Sequence, residues 1–419
     1  MELLKVDTIA EAREKVLALA HPLFSRLESI PLACALNRIL AQDVFAQNDV
    51  PGFTRSTVDG YAVIAADTAG AGESIPVILE YRGAVEMGVS AFDGVPLGVK
   101  HGQCAYVPTG GMLPDGANAV VMVEQSERFG DRGVGIYDAI APGENVICAG
   151  DDIKAHTTLL TAGTRLRAQE LGALAAIGVT EVPVFSAPKM AIISTGDEII
   201  DPEQTPQPGQ VRDINTTAIR AQAQACGYQV FETLVLPDEE EELRQQVAVL
   251  MRSNDVVVIS GGSSQGEKDA TARIIGTVAD RGILTHGLAV KPGKPTITGF
   301  DELSQTLLIG LPGHPLSAMM VFEVLLAWLL VEATGATHPL TVSATLARNL
   351  ATASGKDALQ LVSLTQGGEH GGQLKAIPIH TKSGLITKLV EADGYLWIDR
   401  NIEGLRAGEV VAVHRFTMG

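Results

Sequence analysis

DVVVISGGSSQGEKD, residues 255–269, is the stretch on which the fold reading turns. Val256, Val257, Val258 and Ile259 form an uncharged β-branched run, which suits a strand buried on both faces of a parallel sheet. Ser260, Gly261, Gly262, Ser263 and Ser264 follow at once, small enough to let the backbone approach a ligand closely. After Gly266 and Asp269 an apolar helical spacing begins with Ala272, Ile275 and Val278. Strand, Gly-rich turn, acidic residue and helix is how an open α/β sheet places a site at the carboxyl ends of its strands. A plain βα turn that happens to be rich in glycine reads the same way.

The same pattern extends on both sides. Residues 190–194 form a strand ending in Thr195, Gly196, Asp197 and Glu198. A Pro-rich loop, 201–209, leads to Arg212, Asp213 and Asn215, with Asn215 placed to cap a helix that Gly227 closes. Residues 229–236 make the next strand, and Asp238 caps an acidic helix running to 250. Strand 307–309 precedes GLPGHPLSA, 310–318, and a helix to about 332. Upstream, Thr8 and Glu11 form a capping box for a helix over 9–20, and a second short helix is expected over 35–42. Residues 74–146 alternate Val- and Ile-rich runs with Gly, Pro and Asp, an all-β pattern set between helical pieces, the second of them at 168–177. The tail, from 342, reads as five short strands in a small barrel or sandwich. The fold class is therefore multidomain α/β plus β, with a central α/β domain, an inserted β module and a C-terminal β barrel. The boundaries are 1–46 with 152–185, 47–151, 186–334 and 335–419.

Composition narrows the function. A chain of 419 residues exceeds one ordinary core. A net charge of −18 argues against nucleic acid as partner, because a phosphate backbone requires a basic face. Cys34, Cys104, Cys148 and Cys226 are widely spaced with no CxxC pair, which argues for buried free thiols rather than a zinc site. The apolar run 319–331 is broken by Glu323 and reads as a packed helix, so no membrane partner is expected and the cytoplasm is the default location.

Chemistry concentrates in a few places. Glu198, Asp213 and Asp269 fall at strand ends of one α/β unit, with Asp238 at a fourth. Carboxylates gathered on one sheet edge repel unless a cation balances them, and Mg²⁺ with phosphate is the usual balance for oxygen ligands. Each alone also serves as a cap or turn residue. Lys291 and Lys294 bracket Pro292 and Gly293, with Pro295 after, in a rigid loop that suits an oxyanion or phosphate. GLPGHPLSA places Pro312, Pro315 and Ser317 at a helix start. His314 has no partner at metal-ligand spacing. In DVPGFTRSTVDGYAV, 49–63, the cluster Arg55, Ser56, Thr57 and Asp59 is denser than a turn requires.

Taken together and in order, STVDGYAV (56–63), PTGGMLPDGANAVVMVEQ (108–125), GDDI (150–153), STGDEI (194–199), VRDIN (211–215), GGSSQGEKD (261–269), VKPGKP (290–295) and GLPGHPLSA (310–318) resemble the molybdopterin molybdenumtransferase family, MoeA and the gephyrin E domain included. The motifs span nearly the whole chain. The resemblance implies an elongated four-domain subunit in a homodimer, and insertion of molybdate into adenylylated molybdopterin, with Mg²⁺ and release of AMP. It implies that Asp59, Thr109 and Asp152 line the cleft from one side, with Glu198, Asp213, Asp238 and Asp269 along the α/β domain. Asp269 and Glu198 would meet the metal. Gly261, Gly262 and Ser264 would lie near phosphate, and Lys291, Lys294 and Pro295 would face the oxyanion, with Pro312, Pro315 and Ser383 on the substrate side. Partners implied are the adenylyltransferase that makes the substrate and the acceptor molybdoenzymes. Two departures stand out. The family has Asn where this chain has His314, and a barrel Arg about where Leu361 stands, with Lys356 the nearest cation upstream. Either Lys356 substitutes or oxyanion use is altered; the alternative function is a molybdopterin-binding carrier or scaffold without turnover.

Overall fold

The computed structural model describes residues 6–88, 98–261, 267–353, 355–367 and 372–416. The chain falls into two units. The larger comprises Met1–Gln42, Ala162–Arg167 and Glu181–Gly419; the smaller comprises Asp43–Thr161 and Ala168–Thr180.

In the larger unit, helix α1 (Ile9–Phe24) starts at the expected capping box: Glu11 N donates to the Thr8 hydroxyl and Thr8 N donates to the Glu11 carboxylate. The α/β part then runs β1 (Lys189–Thr195), α2 (Asn215–Cys226), β2 (Gln229–Leu236), α3 (Glu240–Leu250), β3 (Val256–Gly261), α4 (Glu267–Val278), β4 (Ile283–His286), β5 (Val290–Lys291), β6 (Ile297–Asp301) and β7 (Thr306–Pro312). Six of these strands form one sheet in the order β2-β1-β3-β7-β6-β4, parallel through β7 and antiparallel beyond it. β3 lies inside the sheet, and its residues divide between two cores. Val256 and Val258 pack with α1 and the long helix after β7, while Val257 and Ile259 pack with Leu243, Val247, Ile274 and Ile275 of α3 and α4. Burial on both faces is why the run carries no charge.

The helix α5, Pro315–Thr334, begins on Pro315, whose missing N–H costs nothing at a helix start. Its middle turns, Phe322–Ala327, are π-helical, and Gly335 at φ +64° ends it. It is long and apolar enough to cross a membrane, but 83% of its apolar window is buried inside the unit, where it forms the centre of the largest core. The tail strands β8 (Thr341–Leu346), β9 (Asp357–Gly367), β10 (Gly372–Pro378), β11 (Gly394–Ile398) and β12 (Val410–Arg415) close as β9-β10-β8-β12-β11 and back to β9. The barrel is thus a closed five-stranded one, with no free edge. β5 adds to β9 in parallel, Val290 beside Asp357 and Lys291 beside Ala358, which ties the lysine loop to the barrel.

The smaller unit holds a six-stranded sheet of Ala119–Met122, Gly60–Val63, Gln103–Val107, Val77–Ala84, Gly133–Ile136 and Ser126–Phe129, in that spatial order. Helix Ala168–Ala176 belongs to it and is stopped by Gly178 at φ +79°.

Several expectations are corrected. No helix covers 35–42: Leu32–Cys34 is a single 3₁₀ turn, after which Asn37 takes φ +64°. Ile39 and Leu40 instead make strand-like bridges to Arg165 and Val184, so tertiary pairing overrides local periodicity. Strands β4 and β6 were not expected. Against the expected burial, Cys34 and Cys148 are exposed; Cys104 and Cys226 are buried, and all four are thiols outside any disulfide.

Candidate functional site

The parallel strands bring Thr195, Leu236, Gly261 and Pro312 into register at one carboxyl edge. Just beyond it, Thr195 donates its hydroxyl to Asp238, and Asp238 N donates to Asp197 Oδ1 at 3.1 Å. Asp238 therefore does not cap α3, whose N-cap is Glu239 with no side-chain bond. Glu198 is exposed at this edge, and among the described residues its carboxylate accepts no hydrogen bond. Asp213 is 5% exposed and takes the Thr216 hydroxyl and, at 3.3 Å, the Thr216 amide. Asp213 thus does the work assigned to Asn215. Asn215 is the first residue of α2, and its amide donates to Ser260 Oγ and to Gly313 O, both at 2.8 Å. These bonds lock the ends of β3 and β7 to the helix start. Gly262 and Ser264 lie outside the described residues. Asp269 is on α4, and its side chain lies outside them too.

No group of three or more His, Cys, Asp or Glu side chains gathers as a metal site among the described residues. A magnesium ion takes one or two protein carboxylates with phosphate oxygens and water, and the uncommitted Glu198 fits that role; Asp213, bonded to Thr216, does not.

A cavity of about 840 Å³ lies between the lysine loop, the start of α5 and the barrel. Lys291, Lys294, Lys356, Lys382, His314 and His380 line it, together with Ser317 and Ser383, and no carboxylate does among the described residues. Pro295 and Pro312 are in the wall as well; Pro315, buried at the start of α5, is not. Loop geometry sets the first two lysines. Gly293 has φ +121°, and a Cβ there would meet Val321 Cγ2 at 2.5 Å, so the turn requires glycine. Lys294 O accepts from Leu288 N at 2.8 Å and from Thr296 N at 2.9 Å. Pairing of β5 with β9 brings Lys291 beside the strand that Lys356 precedes. Leu361 also borders the cavity, but it is 3% exposed and packs in the main core. Lys356 and Lys382 are the lysines that the barrel region brings to this cavity. Lys382 and His380 were not singled out from sequence; the Lys/His/Ser content of 380–383 was the available signal.

Ser383 Oγ lies 2.8 Å from His314 Nδ1, and Leu316 N donates to Ser383 O at 3.2 Å. The barrel loop thus clasps the GLPGHP turn, and His314 has a partner that sequence spacing concealed.

In the smaller unit, Asp59 Oδ1 accepts from Thr109 N at 2.7 Å and from Thr109 Oγ1 at 3.0 Å, so two sequence candidates meet. Gly60 must be glycine, since a Cβ would sit 2.1 Å from Val121 O. Asp152 is exposed in a turn held by its N–H to Val50 O at 3.0 Å, and no hydrogen bond joins its side chain to Asp59 or Thr109.

Three family descriptions match this chain in order: MoeA N-terminal region (domain I and II) at 7–178, "Probable molybdopterin binding domain" at 191–331, and MoeA C-terminal region (domain IV) at 343–416. A molybdopterin molybdenumtransferase of Bacillus subtilis is 30% identical over 396 residues, 92% of this chain and 89% of that one. This chain belongs to the MoeA family. A molybdopterin molybdenumtransferase of Haemophilus influenzae is 28% identical over 418 residues, 98% of each chain. A crystal structure of the MoeA molybdopterin biosynthesis protein from Pyrococcus horikoshii superposes with a TM-score of 0.77 at 35% identity, covering 99% of this chain and 100% of that one. The lysine cavity draws on two of the matched regions: Lys291, Lys294 and His314 fall within 191–331, and Lys356, Lys382 and Ser383 within 343–416.

Proposed function

We propose that this protein completes molybdenum cofactor synthesis by inserting molybdate, or a closely related metal oxyanion, into adenylylated molybdopterin with release of AMP. One observation carries the reading: in a chain of net charge −18, four lysines and two histidines line one cavity without a carboxylate. Such a concentration of positive charge suits a substrate that brings a dianion, a dithiolate and phosphates together.

The chemistry asks little of the protein as nucleophile. The dithiolate sulfurs of the substrate form bonds to the metal of the oxyanion as two metal–oxygen bonds break and the oxides take up protons and leave as water. Water cleaves the phosphoanhydride to free AMP; the protein positions the reactants and screens their charge. Lys291 and Lys294 hold the oxyanion on the loop side, and Lys356, Lys382 and Ser383 on the barrel side. Glu198, with Asp269 on the neighbouring helix, would hold magnesium, which neutralises phosphate charge when bound. Gly261, Gly262 and Ser264 would lie along the phosphate, and Asp238 would keep the carboxyl edge in order through Thr195. Asp59, Thr109 and Asp152 are the site residues assigned within the smaller unit. The working form is a cytoplasmic homodimer, and the four sequence-defined regions are its domains. It receives substrate from an adenylyltransferase and passes product to acceptor molybdoenzymes. The test is AMP release from adenylylated molybdopterin as molybdate is varied. Release that follows molybdate supports the reading, and release indifferent to molybdate overturns it.

A further inference from the structure

We propose that His314 positions the Ser383 hydroxyl so that its proton points at the bound oxyanion. The inference rests on the oxyanion reading of the lysine cavity. Ser383 Oγ and His314 Nδ1 are 2.8 Å apart at the rim of that cavity, and both residues line it. A serine hydroxyl has one proton and two lone pairs. If Nδ1 is bare, the hydroxyl spends its proton on the imidazole and offers the cavity only lone pairs, which repel an anion. If Nδ1 carries a hydrogen, the imidazole donates to Oγ, and the serine proton is free to point into the cavity. A metal oxyanion can only accept, so the loaded cavity selects the second arrangement.

Two further observations make this pairing matter. Ser383 is fixed from its other side by Leu316 N, so the hydroxyl turns about a held backbone. Among the described residues lining the cavity no arginine is present, and lysine ammoniums are rotatable point charges without a fixed fork. An oriented hydroxyl then supplies the direction that the ammoniums lack.

The test compares His314→Ala, Ser383→Ala, the double variant and His314→Asn with the unaltered protein. The readouts are the apparent constants for molybdate and for adenylylated molybdopterin. Protection against thermal unfolding by molybdate alone gives a measure independent of turnover. His314→Ala and Ser383→Ala should each raise the molybdate constant roughly tenfold, the size of one lost charged hydrogen bond. The pterin constant should stay within about twofold, which a general structural defect would not spare. The double variant should be no worse than Ser383→Ala, because His314 acts only through the hydroxyl. His314→Asn, whose amide N–H can donate to the same oxygen, should recover most of the loss. Additive effects in the double variant overturn the proposal, as does an unchanged molybdate constant in His314→Ala beside a raised one in Ser383→Ala. An unchanged constant in Ser383→Ala overturns the proposal alone, whereas no protection of the unaltered protein by molybdate overturns the oxyanion reading beneath it.

Discussion

Leu361 shows how a single position is read differently once its surroundings are known. In the sequence it stands about where the family carries a cation, which invites restoring one. In the structure it is 3% exposed on β9, in one core with Leu359 and Tyr395. Leu361→Arg should therefore bury a guanidinium without a carboxylate partner, at a cost of several kcal/mol. The expected result is a clearly lower Tm without tighter molybdate use. A variant as stable as the parent that binds molybdate more tightly would reverse this assignment. Lys291 and Lys294 were legible because rigid residues bracket them: a Pro/Gly loop has little reason to carry two cations. The link between His314 and Ser383 was not, because 69 residues separate them and only barrel closure brings them together. Asp213 takes the capping part expected of Asn215 for a similar reason. Both are good capping types, and which one turns inward depends on Ser260 and Gly313, which come from distant strands.

At the scale of elements, the β-branched strands were legible and the polar ones were not. β3 declares itself by its uncharged run, whereas β4 and β6 carry Thr285, Thr298 and Gly299 where apolar alternation would be expected. Gly299 reads as a turn, yet it is there because α4 packs too closely for a side chain: a Cβ would lie 2.4 Å from Ile275 Cγ2. The barrel is joined to the helices by Arg13 of α1. Its guanidinium lies 4.6 Å from the Trp328 ring centroid and 5.1 Å from that of Trp397, and its Nε donates to Val324 O at 2.8 Å. Burial brings its pKa down to about 10, still charged at neutral pH. Beside it, His414 of β12 stacks on Tyr395 at 5.2 Å. Burial, and then the nearby Arg13 charge, hold the His414 pKa below its ordinary 6.5. The unfolded chain therefore binds this proton more readily than the folded one, and stability rises with pH across that window. Acidification below 6.5 should destabilise the barrel, and His414→Gln should flatten the fall. Thermal melts of both chains on going from neutral to mildly acid pH check this; parallel curves would show that His414 is not the group responsible.

At the scale of the whole molecule, the order of the regions was legible because each has its own hydrophobic period. The division into units was less so, since the cut depends on where the chain returns rather than on local composition. Residues 168–180 return to the smaller unit after 162–167 have joined the larger one. The proposed homodimer predicts about twice the 44.0 kDa chain mass in sedimentation equilibrium at assay concentration, and a single-chain mass would contradict it. The central claim is that the lysine cavity brings an oxyanion to an adenylylated dithiolene pterin, and turnover tests it directly. Purified protein is given adenylylated molybdopterin and Mg²⁺, and AMP is followed with and without molybdate. The account predicts AMP release that is negligible without molybdate and saturates as molybdate rises. AMP released at the same rate in both cases, or none in either while the pterin binds, would contradict it.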